Sequence, residues 1–315
     1  MNIYVIGSGS IGKRHYDNLC ALGVNATLLS MRDLGLSGAL NEIANNADVI
    51  DGLVIATATE IRLPVISAAA QAHIPVYIEK PACIDLAELQ EITKLTRDIQ
   101  TRSLCGFMMR YNKLFRAIQC HQPQKYFSAQ LAIGSDVRGW RPNWDFKDSY
   151  ASKPRGGGVL LDLCHEIDMA KCLMPDLTLQ SVSSLMHEDY PTVDFVSSLH
   201  LADPSGAVVN VSMDYLAKIP HRTLSLLGQN ASLEADFFAG TMSYQDAGGV
   251  QNHHIEMDRN DMFRDIMIDF LRLIKGDAVS EDVSVPRLDL VLDSVTLICQ
   301  AWENRQNVGL VEWGN

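Results

Sequence analysis

Two short stretches combine residue types that can do acid–base chemistry. In the first, Glu79-Lys80-Pro81, the proline ends an apolar run and leaves Lys80 at the carboxyl end of a predicted strand. A desolvated lysine ammonium there can hydrogen-bond a substrate hydroxyl and change its protonation as a carbonyl forms. Lysines are more often solvated surface residues. This stretch alone leaves both interpretations open.

The second stretch, residues 156–168, reads GGGVLLDLCHEID. Its pattern predicts one helix over residues 159–174. Asp162, His165 and Asp168 recur every three residues and would share one face of that helix. Polar residues on one face of an otherwise apolar helix indicate a lined cleft, and imidazole is suited to proton transfer near neutral pH. A buried histidine with acidic neighbours on a solvated face explains the spacing equally well.

A glycine-rich turn lies at the N-terminus, where residues 3–6, which are β-branched or aromatic, run into Gly7, Gly9 and Gly12 and a helical pattern follows. Gly7 permits the turn, Gly9 lets the backbone approach a pyrophosphate, and Gly12 lets the helix pack closely. The free N–H groups of the helix start would face the phosphates. The pattern favours a dinucleotide site over a turn without a ligand. The predicted contacts are Gly7, Gly9, Ser10, Ile11 and Gly12.

The elements that position these residues change in character along the chain. Up to about residue 108, apolar strands alternate with helices, which predicts a doubly wound parallel sheet. Ligands of such sheets bind beyond the carboxyl ends of the strands, where the glycine turn, Thr57 and Glu79-Lys80 fall. Later strands follow one another through short connections and predict a mostly antiparallel open sheet. We therefore predict the fold class as α/β, with a Rossmann domain over 1–108 and an α+β domain over 109–315.

Length, net charge and cysteine spacing reduce the number of possible partners and functions. The 315 residues suggest two domains, and the net charge of -12 disfavours nucleic acid and anionic membranes as partners. The seven cysteines are scattered without metal-ligand spacing, so we expect reduced thiols and no metal site. The N-terminus shows no signal-peptide pattern, and no apolar run is long enough to span a membrane. These features predict a cytoplasmic protein.

The end of the second predicted strand bears on cofactor choice. An NAD site needs an acidic residue there to accept from the ribose 2′-hydroxyl. The chain instead has Ser30 followed by Arg32, a hydroxyl and a guanidinium that suit a 2′-phosphate. The nearest acid, Asp33, comes later. We predict that NADP(H) is favoured, with NAD(H) as the alternative.

Taken together, the chain resembles the Gfo/Idh/MocA family of NAD(P)-dependent sugar oxidoreductases. The resemblance rests on GSGSIGKRH, ATATEIRLP leading through AAAQAHIPVYIEKP, GFMMRYN and GGGVLLDLCHEID. It implies a Rossmann domain that binds NAD or NADP, a C-terminal domain whose open sheet makes dimers or tetramers, and hydride transfer at a sugar carbon. It also implies that the family's conserved lysine is Lys80 and that its Asp and His pair is Asp162 and His165.

The chain departs from the family pattern in three places. Asp162 and His165 are three residues apart, where four is more usual. The family's usual proline and histidine before the EKP stretch are replaced by Ala58 and Arg62. The third departure is the adenosine end of the cofactor site, described above for Ser30 and Arg32.

The catalytic residues predicted on this basis are Lys80, His165 and Asp162. Because imidazole titrates near neutral pH, His165 is the predicted general acid/base. Lys80 would orient the substrate oxygen and stabilise its developing charge, and Asp162 would orient the substrate. Thr57, Glu79 and Lys80 join the predicted cofactor contacts.

The predicted substrate pocket is rich in aromatic rings and guanidinium groups, which suit a sugar ring or an anionic substituent. Core or interface packing is the alternative for these residues. The candidates are Arg110, Tyr111, Trp140, Arg141 and Trp144, together with Asp162 and His165.

Three functions fit the sequence. The leading one is an NAD(P)-dependent oxidoreductase acting on a secondary alcohol or ketone of a sugar, working as a homodimer or homotetramer. The second is a glycosidase or lyase with tightly bound NAD(P) that oxidises the sugar only transiently. The third is a non-catalytic NAD(P)-binding regulator, which the retention of Lys80 and His165 disfavours.

Overall fold

The computed structural model describes residues 1–121, 123, 125–140, 145–281 and 284–313. The chain divides into two compact units, each built from two segments. The first comprises Met1–Tyr111 and Asp258–Val295, and the second Asn112–Met257 and Thr296–Asn315. The sequence predicted one division, between residues 108 and 109. The structure instead returns residues 258–295 to the first unit.

The secondary structure is as follows. The strands are β1 (Asn2–Ile6), β2 (Asn25–Leu29), β3 (Gly52–Ile55), β4 (Val76–Ile78), β5 (Leu104–Cys105), β6 (Tyr126–Gly134), β7 (Thr178–His187), β8 (Tyr190–Ala202), β9 (Val208–Asp214), β10 (His221–Gly228), β11 (Ser232–Asp236), β12 (Thr241–Asp246), β13 (Gly249–His254) and β14 (Gln306–Val311). The α-helices are α1 (Ser10–Ala21), α2 (Met31–Asn45), α3 (Arg62–Gln71), α4 (Leu86–Leu95), α5 (Lys113–Cys120), α6 (Val159–Asp162), α7 (His165–Leu173), α8 (Arg259–Lys275) and α9 (Leu292–Glu303).

The first unit is built on a five-stranded sheet in the order β2-β1-β3-β4-β5. All neighbouring strands run parallel. Strand β3 is buried at every position, as expected for a sheet covered on both faces. The strand order reverses next to β1, and ligands of doubly wound sheets bind at such a point. The predicted Rossmann architecture is confirmed.

Helix α8 explains why residues 258–295 belong to the first unit. The Asp258 side chain accepts from the Asn260 N–H at the start of the helix, and Phe270 is fully buried. A Cβ on Gly52 of β3 would lie 2.6 Å from the Ile274 side chain. The glycine therefore leaves room for α8 to pack directly on the sheet. An amphipathic helix needs an apolar surface to cover, and here the parallel sheet supplies it.

Two helical segments are interrupted in the structure. Helix α2 begins at Met31, directly after Ser30, and contains a break at Gly35, whose φ is 66°. The predicted single helix over residues 159–174 is wrong. It consists of α6 and α7 with a turn at residues 163–164 between them.

The second unit contains a nine-stranded sheet in the order β13-β12-β11-β10-β6-β9-β8-β7-β14. The β6/β9 and β7/β14 pairs are parallel and the other neighbouring pairs are antiparallel. Helices α6 and α7 pack on its central strands. The face pointing the other way carries exposed residues such as Gln130, Asn210 and His200. The predicted mostly antiparallel open sheet is confirmed.

The structure also bears on the disulfides, metal sites and membrane-spanning helices considered in the sequence analysis. None of the seven cysteines, all of which lie in the described ranges, forms a disulfide. Within the described ranges, no three or more His, Cys, Asp and Glu residues group in a way that could hold a metal ion. None of the helices in the described part of the chain is both long and apolar enough to cross a membrane.

Candidate active site

The glycine turn connects β1 to α1. Gly7 has a φ of +112°, and a Cβ there would lie 2.6 Å from the carbonyl oxygen of Ala56. A Cβ on Gly12 would lie 1.8 Å from the carbonyl oxygen of Gly7. These two glycines therefore allow close packing of backbone on backbone. Gly9 differs, because no described atom lies within 4 Å of its Cβ position. The turn is open at Gly9, where a phosphate could approach the backbone at the start of α1.

The remaining predicted cofactor contacts lie near strand ends. Ser10 is exposed and Ile11 half-buried at the start of α1. Thr57 follows β3, and its hydroxyl donates to the Ala58 carbonyl over 3.2 Å. Ser30 precedes α2, and Arg32 is exposed in the first turn of that helix. The residues of the glycine turn thus fit a dinucleotide, since its missing side chains leave a cradle next to free helix-terminal N–H groups.

A buried hydrogen-bond network surrounds Glu79, which follows β4. Its Oε1 lies 2.7 Å from His15 Nε2 on α1 and accepts from the Tyr77 hydroxyl over 3.3 Å. Its Oε2 accepts from the backbone N–H of Lys80 over 3.1 Å. A Cβ on Gly106 would lie only 3.0 Å from the same Oε2. One carboxylate thus joins the helix of the glycine turn to the backbone of the predicted catalytic lysine.

The charge of Glu79 is stabilised inside the protein. Burial by itself raises the pKa of Glu79, but the hydrogen bond and charge of His15, together with the positive charges of Lys80 and Arg62, outweigh it and lower the pKa below the ordinary value. Burial and the charge of Glu79 in turn raise the pKa of Tyr77. The carboxylate therefore stays ionised and the phenol stays a donor. Both oxygens of Glu79 contact protein groups, which favours a supporting role.

Arg62 encloses the backbone on both sides of Lys80. This arginine begins α3 and is buried. Its Nε and Nη2 donate to the Thr57 carbonyl over 3.1 and 2.7 Å. Its Nη1 donates to the carbonyls of Glu79 and Pro81. The peptide bond between Lys80 and Pro81 is cis. One guanidinium therefore ties the end of β3 to the two residues that flank the lysine.

In the second unit, Asp162 is the last residue of α6 and is buried. Its Oδ1 accepts from the Tyr150 hydroxyl over 2.9 Å, and its Oδ2 from the Tyr215 hydroxyl over 3.0 Å. Burial raises the pKa of Tyr215, and the neighbouring Asp162 raises it further. The Tyr215 phenol therefore remains protonated, and the two hydroxyls hold the carboxylate in place.

Gly158, the last of the three glycines before α6, allows a close approach to β8. Gly158 has a φ of +96°, and a Cβ there would lie 2.1 Å from Oδ1 of Asp194. Asp194 is buried, and its Oδ2 accepts from the N–H of Leu160 over 2.8 Å. Burial raises the pKa of Asp194, and the charge of Arg305 opposes this effect. Asp194 thus fixes the start of the helix that ends in Asp162.

His165 begins α7 and is buried. The next residue, Glu166, is tied to the sheet, because its Oε1 accepts from Arg222 Nε of β10 over 2.6 Å. Asp168, the third member of the predicted polar face, is fully buried. The helix that carries His165 is therefore anchored on the sheet of its own unit.

Two predicted substrate residues lie in the first unit, where both are buried and bonded to neighbours. Arg110 Nη1 donates to the carbonyl and the hydroxyl of Ser284 over 3.0 and 3.2 Å. The Tyr111 hydroxyl donates to Asp269 Oδ2 over 2.9 Å. Burial and this carboxylate raise the pKa of Tyr111. These contacts favour the packing interpretation for both residues.

The other substrate candidates belong to the second unit. Trp140 is half-buried, its Nε1 donates to the Ser135 hydroxyl over 2.7 Å, and its ring lies edge-on to Tyr215 at 5.4 Å. Trp140 therefore lies beside one of the tyrosines that hold Asp162. Arg141 and Trp144 lie outside the described residues.

Sequence reasoning missed the residues that support the predicted catalytic groups. They are His15, Arg62, Tyr150, Asp194 and Tyr215. Three of them left a signal in the sequence. His15 lies three residues after the last glycine of the turn, and Arg62 is a lone cation in an apolar helical pattern. Asp194 is an acid between the apolar residues Val193 and Phe195, which also indicates a specific buried partner.

Comparison with known proteins bears on the identity of the chain. Residues 130–234 match the family model of the GFO/IDH/MocA C-terminal domain. An inositol 2-dehydrogenase from Leifsonia xyli subsp. xyli is 23% identical over 271 residues, covering 80% of this chain and 75% of the relative. Residues 130–234 are thus similar to the C-terminal domain of the Gfo/Idh/MocA family. The resemblance inferred from the motifs is confirmed by this match and by the inositol 2-dehydrogenase.

Solved structures of an oxidoreductase and a ketoreductase share the fold. An oxidoreductase from Agrobacterium radiobacter in complex with NAD⁺, L-tartaric acid and magnesium has a TM-score of 0.78 at 15% identity, with 96% of each chain covered. A 3-ketoreductase from Actinomadura kijaniata in complex with NADP and TDP-benzene has a TM-score of 0.75 at 15% identity, covering 98% of this chain and 99% of that one. At identities this low, the likeness establishes the fold alone.

The glycine turn generates a paired prediction. Gly9→Ala places a methyl group in the open space of the turn, at a residue whose φ of -67° any amino acid adopts. We expect its unfolding free energy to change by less than about 1 kcal/mol. Its affinity for the nicotinamide cofactor should fall by about tenfold or more, because the methyl group occupies the phosphate approach.

Gly12→Ala is the matched contrast, because its methyl group would overlap the Gly7 carbonyl and must displace α1. We expect it to lower both stability and affinity. Urea unfolding and cofactor fluorescence titration measure the two effects. Unchanged cofactor affinity in Gly9→Ala would contradict a phosphate site at this turn.

Proposed function

We propose that the chain is an oxidoreductase that transfers a hydride between a nicotinamide cofactor and a secondary alcohol or ketone of a sugar or sugar derivative. The observation that carries the proposal is the immobilised backbone of Lys80, held at the carboxyl edge of a parallel sheet next to a glycine turn that is open at Gly9. The dehydrogenase and ketoreductase among the similar proteins support the reaction class.

The proposed chemistry divides the work between Lys80 and His165. A bound nicotinamide would supply the hydride acceptor or donor. His165 takes the hydroxyl proton during oxidation and returns it during reduction, since imidazole titrates nearest to neutral pH. The Lys80 ammonium donates a hydrogen bond to the substrate oxygen and stabilises negative charge that develops there.

Asp162 completes the proposed catalytic set as an orienting acceptor. Two tyrosine hydroxyls fix its carboxylate, so that a substrate hydroxyl would meet an acceptor of defined position. The proposed cofactor contacts are those of the glycine turn with Ser30, Arg32, Thr57, Glu79 and Lys80. Trp140 and Arg141 remain proposed substrate contacts.

We further propose a cytoplasmic homodimer or homotetramer formed through the open sheet of the second unit. Its outward face carries short polar and apolar side chains, among them Ser128, Val208, Ser212 and Leu227, and few charges. Such a face can be covered by a copy of itself. Sedimentation equilibrium tests the proposal, and a mass of one 34.8 kDa chain would contradict it.

The decisive activity experiment is a screen of sugars and sugar nucleotides for reduced-cofactor absorbance, followed by His165→Ala with the best substrate. Because a positioned acid/base contributes about 10²- to 10⁴-fold, kcat at neutral pH should fall by that factor. Cofactor affinity should change little, since His165 is not a proposed cofactor contact.

Two outcomes would contradict these roles. One is near-parent turnover by His165→Ala, and the other is loss of the neutral-pH titration of the rate in Lys80→Ala alone. Substrate conversion without net cofactor reduction would instead favour a glycosidase or lyase. Cofactor binding without conversion of any sugar would favour a regulator.

Cofactor preference depends on Arg32 in this proposal. Its exposed guanidinium in the first turn of α2 would pair with a 2′-phosphate. Arg32→Ala should weaken NADP(H) binding by about tenfold, the effect of losing about 1.4 kcal/mol, and leave NAD(H) binding within about twofold. Arg97→Ala, at another exposed arginine, controls for net charge. Titrations with both cofactors measure the effect, and an equal loss for both would refute the assignment.

A further inference from the structure

We propose that Arg62 is a positioning residue for Lys80, acting through the backbone on both sides of the lysine. The inference rests on the proposed function, in which Lys80 contacts the substrate oxygen. Arg62 occupies a position where the family pattern has a different side chain, so that its role follows from the contacts of this chain alone.

The first step is the geometry of the guanidinium. Its five N–H donors lie in one plane and point in fixed directions. In this structure Nε and Nη2 donate to the Thr57 carbonyl, and Nη1 donates to the carbonyls of Glu79 and Pro81. The two carbonyls that flank Lys80 are therefore bound by a single nitrogen. The other nitrogens fix that group to the end of β3.

The second step is the remaining freedom of the lysine. The Lys80 N–H donates to Glu79 Oε2, and the carboxylate of Glu79 is held by His15 in turn. With the carbonyls on both sides also bound, the main chain of Lys80 has little room to shift. Its ammonium can then vary only through side-chain torsions. Since misplacing a catalytic group by about 1 Å can cost about 100-fold in rate, such support bears directly on turnover.

The third step is why arginine suits this position. The side chain is buried, and a buried cation requires compensation. Three carbonyl oxygens and the nearby Glu79 carboxylate provide it here. A lysine would keep the charge but not the planar fork, so it could not serve carbonyls in three directions with the same geometry. Arg62→Lys therefore separates charge from geometry.

The experiment is a double-mutant cycle between Arg62→Lys and Lys80→Ala. In the parent background we expect Arg62→Lys to lower kcat by about 10- to 100-fold and to leave the cofactor KM within about twofold. In the Lys80→Ala background it should cost no further activity, because its effect passes through the lysine. Arg287→Lys, which replaces a first-unit arginine paired with Asp289, is the matched control and should leave kcat within about twofold.

A second readout needs no substrate. Amide hydrogen exchange at Lys80 in the cofactor-free protein should become about tenfold faster or more in Arg62→Lys and stay unchanged in Arg287→Lys, because only the first loosens this backbone. Arg62→Gln, which has no charge but two donors, serves if the lysine variant does not fold.

The outcomes separate the inference from the proposed function. Losses that add in the double variant, unchanged kcat in Arg62→Lys, or unchanged exchange at Lys80 would each overturn the role of Arg62. A parent without turnover, or full activity in Lys80→Ala, would overturn the proposed function instead. In that case the exchange measurement still decides whether Arg62 orders Lys80.

Discussion

The buried carboxylate of Glu79 is the interaction on which the first unit's site depends. Removing a carboxylate from water is costly unless hydrogen bonds and opposite charge compensate. His15, the Tyr77 hydroxyl and the Lys80 N–H supply that compensation. His15 belongs to the helix that follows the glycine turn, Tyr77 to strand β4, and the N–H to the predicted catalytic lysine. Because all three bind one carboxylate, the need to compensate its charge fixes the helix, the sheet and the lysine relative to one another. Arg62 adds to this network, because its guanidinium donates hydrogen bonds to the carbonyls of Glu79 and Pro81.

Much of the fold follows from sequence periodicity, and the exceptions have physical causes. Alternating strands and helices predicted the parallel sheet because each βαβ unit is local in sequence. The amphipathic pattern of residues 259–275 indicates a helix but not the surface on which it packs, since an apolar face identifies no particular sheet. The sequence pattern does not predict strands β12, β13 and β14. β13, with the sequence GVQNHH, is exposed along nearly its whole length and lacks the alternation of a half-buried strand.

The candidate site likewise contains residues that short sequence motifs identify and residues that only long-range contacts identify. Gly9, Lys80 and His165 could be selected because each lies in a short stretch with characteristic spacing. The residues that hold these groups in place could not be selected from the sequence, because their contacts join residues that are far apart along the chain. His15 and Glu79 are separated by 64 positions, and Arg62 and Pro81 by 19. A single sequence does not show which distant residues contact each other. A buried charge in an apolar pattern indicates only that a partner must exist.

The most direct test of this account is the pH dependence of stability in the parent and in Glu79→Gln. Because the folded pKa of Glu79 lies below its unfolded value, the ionised carboxylate stabilises the protein above about pH 4.3, and this contribution disappears as the pH falls through the folded pKa. At neutral pH the parent should be more stable by about 1.5–3 kcal/mol. The difference should shrink on acidification, whereas Glu91→Gln, at an exposed glutamate of α4, should show almost none at any pH. Equal stability of the parent and Glu79→Gln at neutral pH, or a difference that persists unchanged in acid, would contradict the central role of this carboxylate.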